Sequence, residues 1–305
     1  MRYLLERLAQ AVLILLGITL VTYALLYLLP ADPVRQIAGR SATPEVVASI
    51  RRELGLELPF RQQYLRYLGR LLQGDLGRSY LQRTSVSALI VSRLPATLLL
   101  MAGAILTELM IGLGLGILAA TRTGRFADRA VMLVSFAAVS APQFVIGILL
   151  LYLFSVRLGW LPLGGYGTLA HLVLPSLTLG ILGAGWYARM MRGSLLEVLR
   201  QDYIRTARAK GASQSRVVLV HGLRNAILPI VAMIGLDIGL FMSGAVVVET
   251  VFGWPGIGQL AWQAIQRVDI PIIVGVTTVA AFFIVLGNLL ADLVTPLIDP
   301  RIRLR

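Results

Sequence analysis

The sequence holds no cysteine, one lysine and two histidines among its 305 residues. The lack of cysteine excludes disulfides, thiol catalysis and thiolate metal sites. His171 and His221 stand fifty residues apart, a poor basis for a histidine metal centre. The lysine, Lys210, lies between Ala209 and Gly211, so the chain has no Gly-Lys-Ser/Thr run to cradle nucleotide phosphates. Acids are also scarce: 15 Asp and Glu face 28 basic residues, for a net charge of +13. So basic a chain invites comparison with nucleic-acid binders. A hydrophobic content of 57% argues instead for a membrane protein that binds no nucleic acid, because a soluble domain needs far more polar surface.

What is present in quantity is apolar sequence. Six runs approach the roughly 20 residues that a bilayer core requires: 9–29, 94–120, 130–156, 170–191, 226–248 and 270–291. Arg2 and Arg7 precede the first as they would a secretory signal. That run has 21 residues without a charge and no clear small-x-small cleavage site after it, so it reads as an uncleaved first span. Pro142 and Pro175 fall within the third and fourth runs, where neighbouring helices are expected to satisfy the freed carbonyls. Glu108, Asp237 and Asp292 are acids at or within runs, where an ionised carboxylate costs several kcal/mol unless paired or hydrated.

Arginine placement gives orientation. Arg122, Arg125 and Arg129, eight basic residues from Arg189 to Arg224, and Arg301, Arg303 and Arg305 share a side with the N-terminus. The two short loops opposite hold Arg157 and Arg267, so both termini are expected in the cytoplasm. The segment 30–93 then lies outside. Thr43-Pro44-Glu45 opens a helix and Gly55 closes it. A second helix is expected over 59–72 with Tyr64, Leu65, Leu68 and Leu72 on one face. Gly74-Asp75-Leu76-Gly77 reads as a turn, and a third helix leads into span two. The chain thus divides into 1–29, an extracytoplasmic helical domain at 30–93, and a five-helix core at 94–305.

The segment 194–226 is basic, amphipathic and broken by glycine. Ser194-Leu195-Leu196-Glu197 has capping-box spacing or continues the fourth span. Leu196, Leu199, Tyr203 and Ala207 fall on one stripe, with Ser194, Gln201, Arg205 and Arg208 opposite. Gly211 supplies a left-handed turn and Ser213 a cap for the next helix. Such a helix-turn-helix between two spans is either a lever for a docked partner or a segment resting on anionic lipid. After span five, Glu249 to Gly258 forms a turn rich in glycine, followed by a short helix over 259–267. Phe252 and Trp254 there also suit an interfacial aromatic belt.

The wording RTARAKG from Arg205, followed by HGLRNAILP from His221, resembles the coupling loop of ABC importer permeases of the dipeptide/oligopeptide/nickel family. Leu29-Pro30-Ala31-Asp32-Pro33, Arg52-Glu53-Leu54-Gly55-Leu56, Gly74-Asp75-Leu76-Gly77-Arg78-Ser79, Arg93-Leu94-Pro95-Ala96-Thr97, GAVVVETVFGWPGIG from Gly244 and Asp299-Pro300-Arg301-Ile302-Arg303 are similar to that family in order. Arg205-Thr206-Ala207 stands where the wider superfamily has EAA, and Leu228-Pro229 falls five residues late, which narrows the branch. The resemblance implies an all-α, six-span, type I permease of the B type in a bacterial inner membrane. It implies pairing with a second related permease, two ATP-binding subunits that hold ATP and Mg, and an extracytoplasmic solute-binding protein. No catalytic residue, metal or cofactor is expected in this chain.

On that resemblance, Asp202, Tyr203, Arg205, Thr206, Ala207, Lys210, Gly211 and Ser213 couple to the ATPase. Glu249, Phe252, Trp254, Pro255 and Gly256 border the outer gate and meet the binding protein. Asp237 and Glu108 line the substrate path. The cargo is a dipeptide or oligopeptide, with nickel chelates and glutathione as alternatives. An ion-driven secondary transporter and a scaffold subunit without a pore are rival readings.

Overall fold

A computed structural model describes residues 2–28, 34, 38, 42–53 and 55–298, with the side chains of 2–5, 26–28, 53, 243–244 and 292–298 left undescribed. The motifs at 29–33 and 299–303 and the Asp292 side chain therefore lie outside the described residues. Helix α1 (Arg2–Leu28) precedes two short helices, α2 (Pro44–Glu53) and α3 (Phe60–Leu71). Pro44 and Glu45 open α2, and Gly55 closes it at φ +68°. The Gly55 and Leu56 N–H groups turn back to the carbonyls of Arg52 and Arg51.

The face of α3 differs from the expected leucine stripe. Leu65 and Leu72 are exposed, while Gln63 and Tyr67 are buried. Polar bonds decide the facing. The Tyr67 hydroxyl pairs with the Thr278 hydroxyl at 2.7 Å, and the Gln63 side chain donates to the Leu58 carbonyl at 2.8 Å. The Tyr67 ring stacks on Tyr23 of α1 with centroids 5.4 Å apart.

Helix α4 (Val86–Thr121) merges the expected lead-in helix and span two into one element of 36 residues. At 1.5 Å per residue it is about 54 Å long, more than a bilayer core of roughly 30 Å. Span three, expected as one run over 130–156, is broken. Helices α5 (Phe126–Ser140) and α6 (Gln143–Leu151), the latter continued by a π-helical turn (Tyr152–Arg157), differ in direction by 101°. Pro142 offers no N–H, and Ala141 before it is extended at ψ 134°.

Helix α7 (Leu169–Val198) runs through Pro175. Then come α8 (Asp202–Ala209), α9 (Gln214–Ala226), α10 (Leu228–Gly244), α11 (Val246–Val251), α12 (Ile257–Gln266) and α13 (Ile270–Ile298). Helices α9 and α10 meet at 49°, with Pro229 in the first turn of α10, where its missing N–H costs little. Among the described residues four helices are long and apolar enough to cross a membrane, or six spans if each bent pair counts as one.

Two long pairs, α4 with α7 and α10 with α13, organise the bundle. Small residues let the first pair close. A Cβ on Gly116 would stand 2.7 Å from both the Ala188 carbonyl oxygen and the Met191 Cβ, and one on Gly112 would stand 3.0 Å from the Ala184 carbonyl oxygen. Such approach is how helices pack tightly where lipid removes the hydrophobic drive. At the far end, buried Asp269 accepts hydrogen bonds from the Ser79 hydroxyl and the N–H groups of Tyr80 and Leu81, tying the 79–81 loop to the start of α13. Burial pushes the neighbouring Tyr80 hydroxyl up to about 12, so it stays neutral at physiological pH.

The seam yields a paired test. Gly114 has nothing within 4 Å of its would-be Cβ. Gly116→Ala should lower the melting temperature of the detergent-solubilised protein by several degrees, for an overpacking cost of about 1–3 kcal/mol. Gly114→Ala should leave it unchanged or raise it slightly, since alanine is the better helix former. Equal melting of the two variants would contradict the close α4–α7 contact.

Candidate functional site

Three arrangements stand out: an elbow at one end of the bundle, a hairpin at the other, and a polar cluster between them. The elbow comprises α8, α9 and the turn that joins them. The expected stripe from Leu196 to Ala207 is not one face, because the helix stops after Val198 and restarts at Asp202. Ile204 anchors α8 and is fully buried, while Val217 and Val218 anchor α9. Val218 joins the layer that contains Leu195, Ala226 and Ile230. Ser194 caps nothing: α7 continues through it, and its hydroxyl donates to the Ala226 carbonyl at 3.0 Å, stitching α7 to α9.

The turn itself follows the sequence. Gly211 sits at φ +80°, and the Gly211 and Ala212 N–H groups return to the carbonyls of Arg208 and Ala207. Its would-be Cβ meets nothing, so the backbone angle and not space demands glycine here. The Ser213 hydroxyl accepts the Arg216 N–H at 3.4 Å. Asn225 donates to the Tyr203 hydroxyl at 2.6 Å, which ties α8 to the end of α9. Asp202, Tyr203, Arg205, Thr206, Lys210, Gly211 and Ser213 are exposed and Ala207 is half-buried. The elbow therefore has one face fixed to the ends of α7 and α10 and another open. Beside it, Asp128 of α5 accepts from Arg192 of α7 at 2.5 and 2.9 Å and from the Gly124 N–H at 2.9 Å. Only a lone acid among arginines hinted at that pair in the sequence.

At the hairpin, burial corrects the expected surface role. Glu249 and Trp254 are 0% exposed and Phe252 is 2% exposed, so none is a belt residue or a direct contact for a docked protein. The cause is the turn: Gly253 at φ +61° swings Trp254 inward, where its indole N–H donates to the Ala96 carbonyl at 2.9 Å. Glu249 accepts the Thr97 hydroxyl at 2.9 Å and the Gln259 N–H at 2.7 Å, and Thr97 in turn accepts the Ile257 N–H at 2.9 Å. The Glu249 carboxyl occupies the space that a side chain on Gly256 would need. Gly256 is buried, and Pro255 is half-buried. Thr97 is the hub partner that sequence reasoning passed over, since it read as no more than the opening of a span.

Between the two ends, three helices bring together residues far apart in sequence. Tyr187 of α7 donates to Asp237 of α10, and the Glu108 carboxyl lies beside that of Asp237. Glu108, on α4, is 2% exposed. Nothing in the sequence pointed to Tyr187.

Comparison with known proteins bears directly on this arrangement. Residues 112–304 match the family described as the binding-protein-dependent transport system inner membrane component, and residues 1–101 match its N-terminal part. The chain belongs to this family. The permease is 42% identical over 303 residues to the glutathione transport system permease protein GsiC of Salmonella paratyphi A, covering 99% of each chain. It is 40% identical to the protein of the same name from Escherichia coli K12, with the same coverage. In fold it is similar to the inward-facing MetNI methionine ABC transporter, with a TM-score of 0.59, 22% identity and coverage of 69% of this permease and 96% of that chain. The protein is thus an all-helical ABC importer permease, a multi-pass inner membrane pore component of the type I fold.

The hub gives a second test. Glu249→Ala orphans the Gln259 N–H and the Thr97 hydroxyl, at about 1–3 kcal/mol for each buried group. Its melting temperature should fall, and protease should cut near Gly253 faster than in the parent. Glu249→Gln, which retains an acceptor, should fall between. A Glu249→Ala protein as stable and as resistant as the parent would refute the hub.

Proposed function

We propose that this permease imports small peptides in an ATP-driven transporter and that the elbow is where ATP hydrolysis is coupled to transport. The observation that carries the reading is the elbow's construction. Asp202, Tyr203, Arg205, Thr206, Ala207, Lys210, Gly211 and Ser213 form a surface on a body anchored to two spans through Val218 and Ser194. A partner bound there moves α7 and α10 without a slack linker. A segment that merely rested on lipid would not need this anchoring.

The assembly in this reading contains a second related permease, two ATP-binding subunits holding ATP and Mg, and an extracytoplasmic solute-binding protein. The arginine-rich ends face the cytoplasm. The 30–93 domain and the hairpin then lie outside. The Glu249 hub shapes the outer gate from within, and Pro255 and Gly253 are its accessible points. Alternating access follows as the ATPases close and the elbows approach. The peptide class rests on the family wording of the elbow. Within it, glutathione is the favoured cargo, because the relatives at 40–42% identity carry that name over 99% of their length.

Reconstitution of the complete transporter tests the reading. Glutathione or dialanine should accumulate in vesicles only with ATP. Gly211→Val forces a residue with a Cβ into the left-handed region at about 1–2 kcal/mol, which lowers the ratio of formed to distorted turn roughly tenfold. ATP hydrolysis should then persist while uptake falls. Accumulation without ATP, or normal uptake by a well-folded Gly211→Val protein, would overturn the coupling role.

A further inference from the structure

We infer that Asp237, Glu108 and Tyr187 form an intramembrane site for the ammonium group of the transported substrate. The inference rests on the peptide reading above and deepens it, since dipeptides and glutathione share a free amino group. A buried carboxylate in a bilayer is expensive without a counter-charge. Among the described residues no cationic side chain stands within ion-pair distance of Glu108 or Asp237.

The site is built and incomplete. The Glu108 Oε2 atom is enclosed and has no hydrogen-bond partner, although the residue is 2% exposed. The Glu108 carboxyl fills the space that any side chain on Gly183 of α7 would take, so the helix pair is shaped around it. The Tyr187 hydroxyl donates to the Asp237 carboxyl and holds it in place. Two neighbouring carboxyl groups with no cation beside them among the described residues give a substrate ammonium the counter-charge it needs away from water. An ammonium has three donors and no acceptor, which suits a cluster with a vacant carboxyl oxygen.

The site also has an entrance. Asp237 is half-buried and borders a cavity of about 320 Å³ lined by Leu236, Gly239, Leu240, Ile284 and Asn288. That is the low end of the roughly 300–1,000 Å³ of small-molecule sites. Leu236 and Leu240 on the same face are each 62% exposed, so the cavity opens away from the chain's own core. The amino end of a peptide thus reaches Asp237 first, with Glu108 behind it.

The experiment uses the complete transporter in vesicles and compares dialanine with N-acetyl-dialanine. The preference of the binding protein is common to all permease variants and cancels in the ratio of their uptake. In the parent, free dialanine should be favoured. Asp237→Asn should lower that ratio by about tenfold, the effect of roughly 1.4 kcal/mol, and Asp237→Glu should restore it. If the parent carries no acetylated peptide, loss of dialanine uptake in Asp237→Asn with recovery in Asp237→Glu supports the site. Retained uptake in Asp237→Asn overturns it. A proportional fall for both peptides, or no recovery with glutamate, reduces the cluster to a helix-to-helix brace. A parent that accumulates neither dialanine nor glutathione would overturn the peptide reading and the ammonium site with it.

Discussion

The close contact of α4 with α7 is the constraint on which the rest of the structure depends. Where glycines bring the two backbones together, α7 becomes a fixed post through the middle of the bundle. Its far half packs against the layer that buries Trp254 and Phe252. Its near half carries Tyr187, Met191 and Leu195 into the layer that receives the elbow. A permease must convert a push at one end into an opening at the other. A post of this kind connects the two ends without passing through a loop.

The polar residues follow the same logic. Three buried carboxylates sit where two elements that are distant in sequence must keep register. Asp128 with Arg192 does so between α5 and α7, Glu249 with Thr97 between α11 and α4, and Asp269 with the 79–81 loop at the start of α13. A buried pair of this sort contributes little net stability but is costly to break, so it specifies one arrangement. The Glu108–Asp237–Tyr187 cluster differs because one of its acceptors has no donor.

Much of this was legible in the sequence because hydropathy and punctuation act locally. Four of the long apolar runs became spanning helices and two became bent pairs, and Pro44, Gly55, Gly211, Ser213 and Pro229 each took the position their backbone chemistry assigns them. Tertiary choices were not legible. Pro142 reads the same whether a span absorbs it or turns by 101°, since neighbouring helices decide who satisfies the freed carbonyl. The α3 face went wrong because leucine spacing ignores hydrogen bonds: Tyr67 was turned inward by a threonine 211 positions away. Aromatic residues beside glycines near a membrane surface suggested an exposed belt, and only the path of the Gly253 turn reveals that Trp254 points inward.

The central claim is that the elbow is part of the span bundle and moves with it. The lack of cysteine makes the chain suited to paired spin labels on cysteines introduced at exposed Ser215 of α9 and exposed Met190 of α7. Their separation should be measured by electron–electron double resonance in the assembled, transport-active complex, without nucleotide and with ATP trapped. A rigid elbow predicts one narrow distance that is the same in both states. A distribution that broadens, or a distance that shifts when ATP is trapped, would show the elbow sliding on α7 and would contradict the account.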